Sequence, residues 1–321
     1  MDYTTLGRTG LKVSVAGLGC GGNSRIGLGA GRSMEEAAVV VRTAIDQGVT
    51  YIDTARNYGT EPAVGMAIKD VPRDAVVIST KSTIREQGER ITAEQLVAHL
   101  DHSLTQLGTD YVDVYFLHGV PLADYEYARD EPAPAILKER DKGKFRHLGI
   151  TEPAASDPEQ STMRRAVDDP QWDVAMLAFH MMHQTARTHI FPKTQAAGIG
   201  TALMYVVRNV FSRPGLLQET VCGLIESGAL SPDGIDVDNP LGFLLHEGGA
   251  DSIIDAAYRF GRHQPGADTV LFGTGNVDHL AANIESILRP PLPEADVSRL
   301  HDLFGALTGV GLDIPEHMRT P

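Results

Sequence analysis

The strongest constraint on the fold is a repeated alternation along the chain. A short apolar run, closed by glycine or a polar residue, is followed each time by a longer stretch with helical spacing. Strand-like runs fall at residues 15–18, 50–52, 75–79, 112–117, 145–150, 174–179, 201–206 and 269–272. The run at 112–117 is almost continuously apolar, as expected of a parallel strand covered on both faces. A helix is predicted to begin after Ser33, whose hydroxyl forms a capping box with Glu36; Val40, Val41, Ala44 and Ile45 make its apolar stripe, and Gly48 stops it. A second capping pair, Thr92 and Gln95, opens a helix over 92–107 that carries Leu96, Leu100, Leu104 and Leu107 on one face. Further helical patterns lie at 61–68, 216–227, 252–260 and 277–288. Ahead of the first unit, residues 3–6 and 11–15 read as a hairpin turning at Arg8-Thr9-Gly10.

Eight strand–helix units in 321 residues predict a (β/α)8 TIM barrel with an N-terminal β-hairpin, one domain over 1–321. A doubly wound open sheet is the competitor. Its nucleotide fingerprint runs from the first strand straight into a helix. Here Gly17-Leu18-Gly19-Cys20-Gly21-Gly22 has the wrong glycine spacing, and eleven residues separate it from the next helix cap. These glycines therefore read as a loop at the barrel mouth. The long stretch 209–249, with its turn-rich Ser231-Pro232-Asp233-Gly234, is placed at the same mouth after the seventh strand.

Charge narrows the function. With 42 acidic against 28 basic residues, a net charge of -14 argues against nucleic acid or an anionic membrane surface as the main partner. Cys20 and Cys222 are too far apart in sequence to form a disulfide framework or a zinc cluster, and they fit packing in a reducing compartment. The N-terminal residues lack a signal-peptide pattern, and no apolar stretch reaches the ~20 residues of a membrane span. A cytoplasmic location is the expectation.

In such a barrel the site lies where strands end. The second strand runs into Asp53-Thr54-Ala55-Arg56-Asn57-Tyr58-Gly59, the third into Ser79-Thr80-Lys81, and the fourth into Leu117-His118. An Asp, a Lys and a His thus close three successive strands, with Tyr58 just past the first. A free phenol has a pKa near ~10, poorly matched to proton transfer at neutral pH. A lysine ammonium ~4 Å from its oxygen favours phenolate by at most ~4 kcal/mol at an effective dielectric of 20, roughly three pKa units. A carboxylate holds the lysine charged, and a neutral imidazole orients a substrate oxygen or shares the relay. The reading is Tyr58 as general acid in reduction and base in oxidation, supported by Lys81, Asp53 and His118. No metal or covalent nucleophile is needed, so a cofactor carries the difficult step. Taken singly, Asp53 is also a helix-entry cap, His118 a strand-end hydrogen bonder and Tyr58 a rim aromatic.

These stretches, with 107–118 (Leu-Gly-Thr-Asp-Tyr-Val-Asp onward to Leu-His) and Leu271-Phe272-Gly273-Thr274-Gly275-Asn276 followed by His279, Leu280 and Asn283, resemble the signatures of the aldo-keto reductases. The resemblance runs from Leu6-Gly7-Arg8-Thr9-Gly10 to about Leu288. It implies a nicotinamide-dependent oxidoreductase in which Asp53, Tyr58, Lys81 and His118 form the catalytic tetrad. It implies cofactor contacts from Gly21 at the first loop, from Thr151, Glu152 and Met176 after strands five and six, and from Tyr205, Arg208 and Arg213 after strand seven. Gly273, Thr274, Gly275, His279 and Asn283 complete the set at the last βα unit, where helix amides can hold a phosphate. The family's usual Ser-Asn pair and Gln are replaced here by Thr151-Glu152 and Met176. Its frequent Lys and Arg cations are replaced by Gly273 and His279. NADP(H) is expected in preference to NAD(H).

The implied substrate is a small carbonyl, alcohol or sugar. Gly149-Ile150-Thr151 also occurs in the family's aldose-oxidising members, which keeps a sugar dehydrogenase open. A non-catalytic, nicotinamide-binding regulatory protein on the same fold, like the potassium-channel β subunits, is the alternative of a different class. A metal-dependent barrel lyase or hydrolase lacks a carboxylate–histidine cluster. Mouth loops 22–32, 121–131 and 209–249 are expected to set specificity, with Tyr125, Tyr127 and Phe211 as wall residues. Tyr111, Tyr115, Met181 and Met182 read as wall and core packing, and His99 and His102 as exposed helix residues.

Overall fold

The computed structural model describes residues 1–313. Strands β1 (Tyr3–Thr5) and β2 (Lys12–Ser14) pair antiparallel around a short 3-10 turn at Gly7–Thr9, giving the expected hairpin. Eight strands then follow: β3 (Ala16–Gly19), β4 (Tyr51–Asp53), β5 (Val77–Thr83), β8 (Val112–His118), β9 (Phe145–Thr151), β10 (Val174–Ala178), β11 (Gly200–Met204) and β12 (Thr269–Phe272). They close a parallel barrel in chain order, β12 pairing back onto β3. The expected strands are all present, displaced by a residue or two at their ends except the third, which runs four residues further, to Thr83. A two-residue hairpin, β6 (Arg85–Glu86) with β7 (Glu89–Arg90), rides on the loop after β5 and has no counterpart in the sequence reading.

Both capping boxes form. Ser33 accepts from the Glu36 amide ahead of the helix Met34–Asp46, and Thr92 from the Gln95 amide ahead of Ala93–Leu107. The helices pack their apolar stripes on the outward face of the strands, against Leu18, Ile52, Ile78, Leu148 and Leu177 among others. Inside the barrel a separate core holds Tyr51, Val77, Val114, Phe116, Val174, Met176 and Ala202, with Leu6 and Val13 of the hairpin region packed into it. Gly149 faces the Phe116 ring where a Cβ would collide with it, so the absent side chain makes room for the ring.

Strand alternation now dictates what reaches the lumen. Tyr51 is inward and Ile52 outward, so Asp53 is inward. Val77 is inward and Ile78 outward, so Ser79 and Lys81 are inward, while Thr80 turns out to bond the Glu61 carboxylate at 2.6 Å. Val114 and Phe116 are inward, and His118 follows on that side. Register completes the placement, with Asp53 opposite Ser79 and Thr83 opposite His118.

Among the described residues no helix is long and apolar enough to cross a membrane. His99, expected to be exposed, is buried beside Glu86, because the β6–β7 hairpin lies over its helix face; His102 is exposed as expected. Met181, Met182 and Tyr115 are core residues, and Tyr111 lies between the guanidinium groups of Arg73 and Arg146.

Candidate active site

A cavity of about 890 Å³ opens at the C-terminal ends of the barrel strands. Its floor holds the four side chains that the strand parity turns inward. The Lys81 ammonium donates to both Asp53 carboxylate oxygens, at 2.8 and 2.7 Å, and to the Thr54 carbonyl at 2.7 Å. Ser79 adds a hydroxyl donor to Asp53 at 2.7 Å. The pair is sealed, with Asp53 3% and Lys81 1% exposed. Burial raises the Asp53 carboxyl and lowers the Lys81 ammonium, and their mutual attraction opposes both shifts.

Above this pair the Tyr58 hydroxyl lies 3.4 Å from His118 Nε2, the two rings meeting edge to face. Burial holds His118 down to about 3, and the Lys81 charge pushes it the same way, so the imidazole is neutral at physiological pH. Its Nδ1 is buried without a partner. The ammonium approaches the phenol ring, 4.7 Å from its centre, and bonds to Asp53 and Thr54 rather than to the hydroxyl. The phenol is accordingly not acidified. Burial, then the Asp53 charge, hold it well above its ordinary value. In this arrangement the ammonium is committed to the Asp53 carboxylate at 2.7 Å, and it is burial first and that carboxylate second that work against a phenolate.

Of the residues assigned to a cofactor, Thr151, Glu152 and Met176 line one wall of this cavity and Tyr205 and Arg208 another. Gly21, Gly273, Thr274, His279 and Asn283 line its far side. Two assigned residues do not line it. Arg213 is exposed, beyond the short helix Asn209–Ser212 that carries the chain away from the mouth. Gly275 packs on the first loop, where a Cβ would come within 2.5 Å of Gly27 Cα. Arg208 is held rather than free: its guanidinium pairs with the Asp313 carboxylate at 2.9 Å, reaches the Gly311 and Asp313 carbonyls, and covers the Tyr205 ring at 4.0 Å.

Tyr205 has φ +67°, a left-handed conformation costing an aromatic residue about 1–3 kcal/mol. Such strain collects at ligand sites, and sequence spacing carries no trace of it. Gln160 was also invisible. It is fully buried, eight positions past Glu152, and its amide bonds both the Glu152 carboxyl and the Ala178 carbonyl. Ser79, two residues before Lys81 on the same strand, supplies the hydroxyl that fixes Asp53.

The mouth loops contribute less than expected. Gly22, Asn23 and Ser24 line the cavity, but nothing from 121–131 does. That loop is pinned elsewhere, with Asp124 bridged by Arg85 and Arg90 and the Tyr127 hydroxyl bonded to the Ile91 carbonyl. Tyr125 is buried against Trp172 and Phe211 against His180, so none of the three proposed wall aromatics faces the cavity. From 209–249 only Asn209 and Ser212 line it; Val221, Leu230, Leu241 and Leu244 are buried in the outer core.

Comparison with known proteins points one way. The model of the aldo/keto reductase family matches residues 17–304. The chain is 34% identical over 157 residues to L-galactose dehydrogenase of Arabidopsis thaliana, covering 47% of this chain and 48% of that protein. It is 30% identical over 211 residues to glycerol 2-dehydrogenase (NADP(+)) of Saccharomyces cerevisiae, covering 65% of this chain and 58% of that one. The chain thus spans about half the length of these curated relatives. An aldo-keto reductase from Bacillus halodurans has the same fold, with TM-score 0.72 at 22% identity, over 98% of this chain and 100% of that one.

Proposed function

Because this chain belongs to the aldo/keto reductase family, we propose that it is an oxidoreductase that moves a hydride between NADP(H) and a small carbonyl or alcohol substrate, with Tyr58 supplying or accepting the proton. One observation carries the reading. A sealed Asp53–Lys81 pair lies directly under a phenol and a neutral imidazole at the floor of a cavity large enough for a dinucleotide's reactive half and a small substrate.

The cavity walls suit a nicotinamide cofactor. Thr151, Glu152 and Tyr205 would meet the nicotinamide end, and Thr274, His279 and Asn283 the phosphate end, beside the amides that open the helix Val277–Leu288. The bound nicotinamide supplies the hydride. The chain does the rest. Tyr58 keeps its proton at neutral pH and gives it to the developing alkoxide, and the neutral His118 orients the same oxygen through Nε2. Lys81, fixed by three acceptors, sets the position of the phenol ring from below.

That ring has no slack on its other side. A Cβ at Gly21 would stand 2.5 Å from Tyr58 Cε2 and 2.6 Å from Cζ. Gly21→Ala is expected to displace the phenol and lower kcat about 100-fold, since a misplacement near 1 Å costs that much. Steady-state kinetics beside a thermal melt check this. A variant with full kcat means the ring moves without consequence.

NADP(H) is favoured by the chain's likeness to the yeast NADP(+) enzyme and by the polar set at Thr274, His279 and Asn283. His279→Ala is expected to weaken NADPH about fivefold, the scale of one exposed charge contact, and to leave NADH almost unchanged. Fluorescence-quenching titrations of wild type and variant with both nucleotides test the proposal as a whole. Equal losses would show that His279 does not read the 2′-phosphate. Cofactor binding without turnover of any aldehyde, ketone or sugar would favour the regulatory reading.

A second reading has its own support. The likeness to L-galactose dehydrogenase favours aldose oxidation, and cofactor reduction by a panel of aldoses separates it from simple carbonyl reduction.

A further inference from the structure

A second cavity, of about 330 Å³, lies among the outer helices. It forms where the helix Ile253–Arg262 runs on through His263, Gln264 and Pro265 toward the N-terminal end of β12, and it shares no lining residue with the active-site cavity. Its polar lining is Arg187, Arg259, His263, Gln264 and His301, without a carboxylate. Phe260, Leu292 and Val297 give it an apolar wall. The chain carries a net charge of -14, yet none of that excess is spent here.

Two of these groups are committed to the fold. Arg259 donates to the Gly249, Pro290 and Pro291 carbonyls and pairs with Asp255 at 3.2 Å. His263 bonds the Arg289 carbonyl at 2.8 Å. Arg187, on the short helix Thr185–His189, is different. Its side chain has no hydrogen bond or ion pair among the described residues. Its Nε is sealed in protein, which fixes the guanidinium plane, while the two terminal nitrogens stay open. A guanidinium held in place with free forked donors is suited to a planar or tetrahedral oxyanion.

His301 adds the second half, and its tautomer is fixed by its neighbours. The Gln184 amide nitrogen donates to the Met181 and Leu300 carbonyls, so Gln184 Oε1 is the acceptor that His301 Nδ1 meets at 2.7 Å. The proton of the neutral ring is therefore on Nδ1, and Nε2 carries an open lone pair. The charged groups around it are Arg187 from the helix Thr185–His189, and Arg259 and His263 from the helix Ile253–Arg262 and its cap. Arg289, on the connection that follows, is spent on Asp251, Asp255 and Glu285. Asp302, on the ring's own helix, is exposed and does not line the cavity. Burial, then the Arg187 charge, hold His301 below its ordinary value.

We propose that this cavity binds a small organic oxyanion, a carboxylate or phosphate monoester on an apolar body, whose charge Arg187 takes and whose oxygen His301 holds through Nε2 with the uptake of one proton. A carboxylate offers Nε2 only acceptors, so the imidazole must gain a proton in order to donate. A phosphate monoester can bring the hydroxyl itself. In both cases a proton enters with the ligand, and affinity falls as pH rises. The site stands apart from the catalytic floor and does not depend on the cofactor reading.

Benzoate, phenyl phosphate and the uncharged benzamide are the probes, titrated calorimetrically into the full chain in buffers free of other oxyanions. Both anions are expected to bind at least tenfold more tightly than benzamide. Benzoate, ionised throughout, is expected to weaken about tenfold between about pH 7 and about pH 8.5. Arg187→Met keeps the stem and is expected to weaken both anions at least tenfold. His301→Asn keeps a donor toward Gln184 and removes Nε2, so its benzoate profile is expected to be flat. His279→Ala, in the other cavity, is expected to bind both anions as wild type does. The tighter of the two anions identifies the head group. Thermal melts confirm that each variant is folded. No anion binding below about 10 mM, benzamide equal to benzoate, a flat wild-type profile, or losses in His279→Ala with none in Arg187→Met each overturn the proposal.

Discussion

Tyr58→Phe lowers kcat for reduction of an activated aldehyde such as 4-nitrobenzaldehyde about a thousandfold and leaves the dissociation constant for NADPH within about twofold. That is the expected result, and it follows from where the proton is. General acid catalysis contributes roughly 10²–10⁴ in rate, and Phe removes the hydroxyl that lies 3.4 Å from His118 Nε2 while keeping the ring that packs on Gly21. His118 is a poor substitute donor, since burial keeps it unprotonated at neutral pH. The phenol's raised pKa gives the pH dependence its sign. The acid form is populated below that value, so the reduction rate is expected to stay level from neutral pH up through the ordinary phenol range. Oxidation needs the deprotonated form and is expected to climb with pH over the same interval. A Phe variant that retains more than about a tenth of wild-type kcat would remove Tyr58 from the chemistry.

Lys81→Met is expected to abolish turnover and also to destabilise the fold by about 3–5 kcal/mol, the range for breaking a buried pair and stranding its partner. Met is chosen because it fills the lysine stem's volume without the charge. What remains is an Asp53 carboxylate, 3% exposed, with Ser79 as its remaining side-chain donor among the described residues. The penalty belongs to the stranded charge, so Asp53→Asn combined with Lys81→Met is expected to recover most of the stability and none of the activity. Urea unfolding of the three chains measures the first effect and steady-state kinetics the second. In the single variant the lone buried carboxyl has a folded-state pKa raised above its unfolded value. Such a group favours folding below the unfolded pKa and opposes it above, so the gap between single and double variants is expected to narrow from about pH 8 to about pH 5. A single variant within about 1 kcal/mol of wild type would mean that water reaches the pair.

The barrel was legible because its signals are local. Strand runs and helix stripes are periodicities within about fifteen residues. The caps at Ser33 and Thr92 are contacts three residues apart, and both formed as the spacing implied. Even the floor of the site was within reach, since period-2 alternation from Tyr51, Val77 and Val114 turns Asp53, Lys81 and His118 to one side. The weaker assignments depended on longer connections. Arg213 in the loop after the seventh strand and Gly275 in the last βα motif were expected at the cofactor, but the first is exposed beyond the helix Asn209–Ser212 and the second packs on Gly27. Tyr125, Tyr127 and Phe211 are aromatics near the mouth in sequence whose partners, Trp172, Ile91 and His180, lie on other segments.

By itself, then, the order of residues determined the eight-unit barrel, its hairpin and the face on which three strand-end side chains emerge. Only the folded arrangement decided which polar groups are buried together: Lys81 against Asp53 beneath the Tyr58 ring, and Glu152 in a wall that leaves one of its oxygens without a partner. The reason is the range of the forces. Backbone alternation and capping act between neighbours along the chain, whereas the free energy of a charge depends on every dipole and water molecule excluded or retained around it, and that environment exists only after distant segments have met.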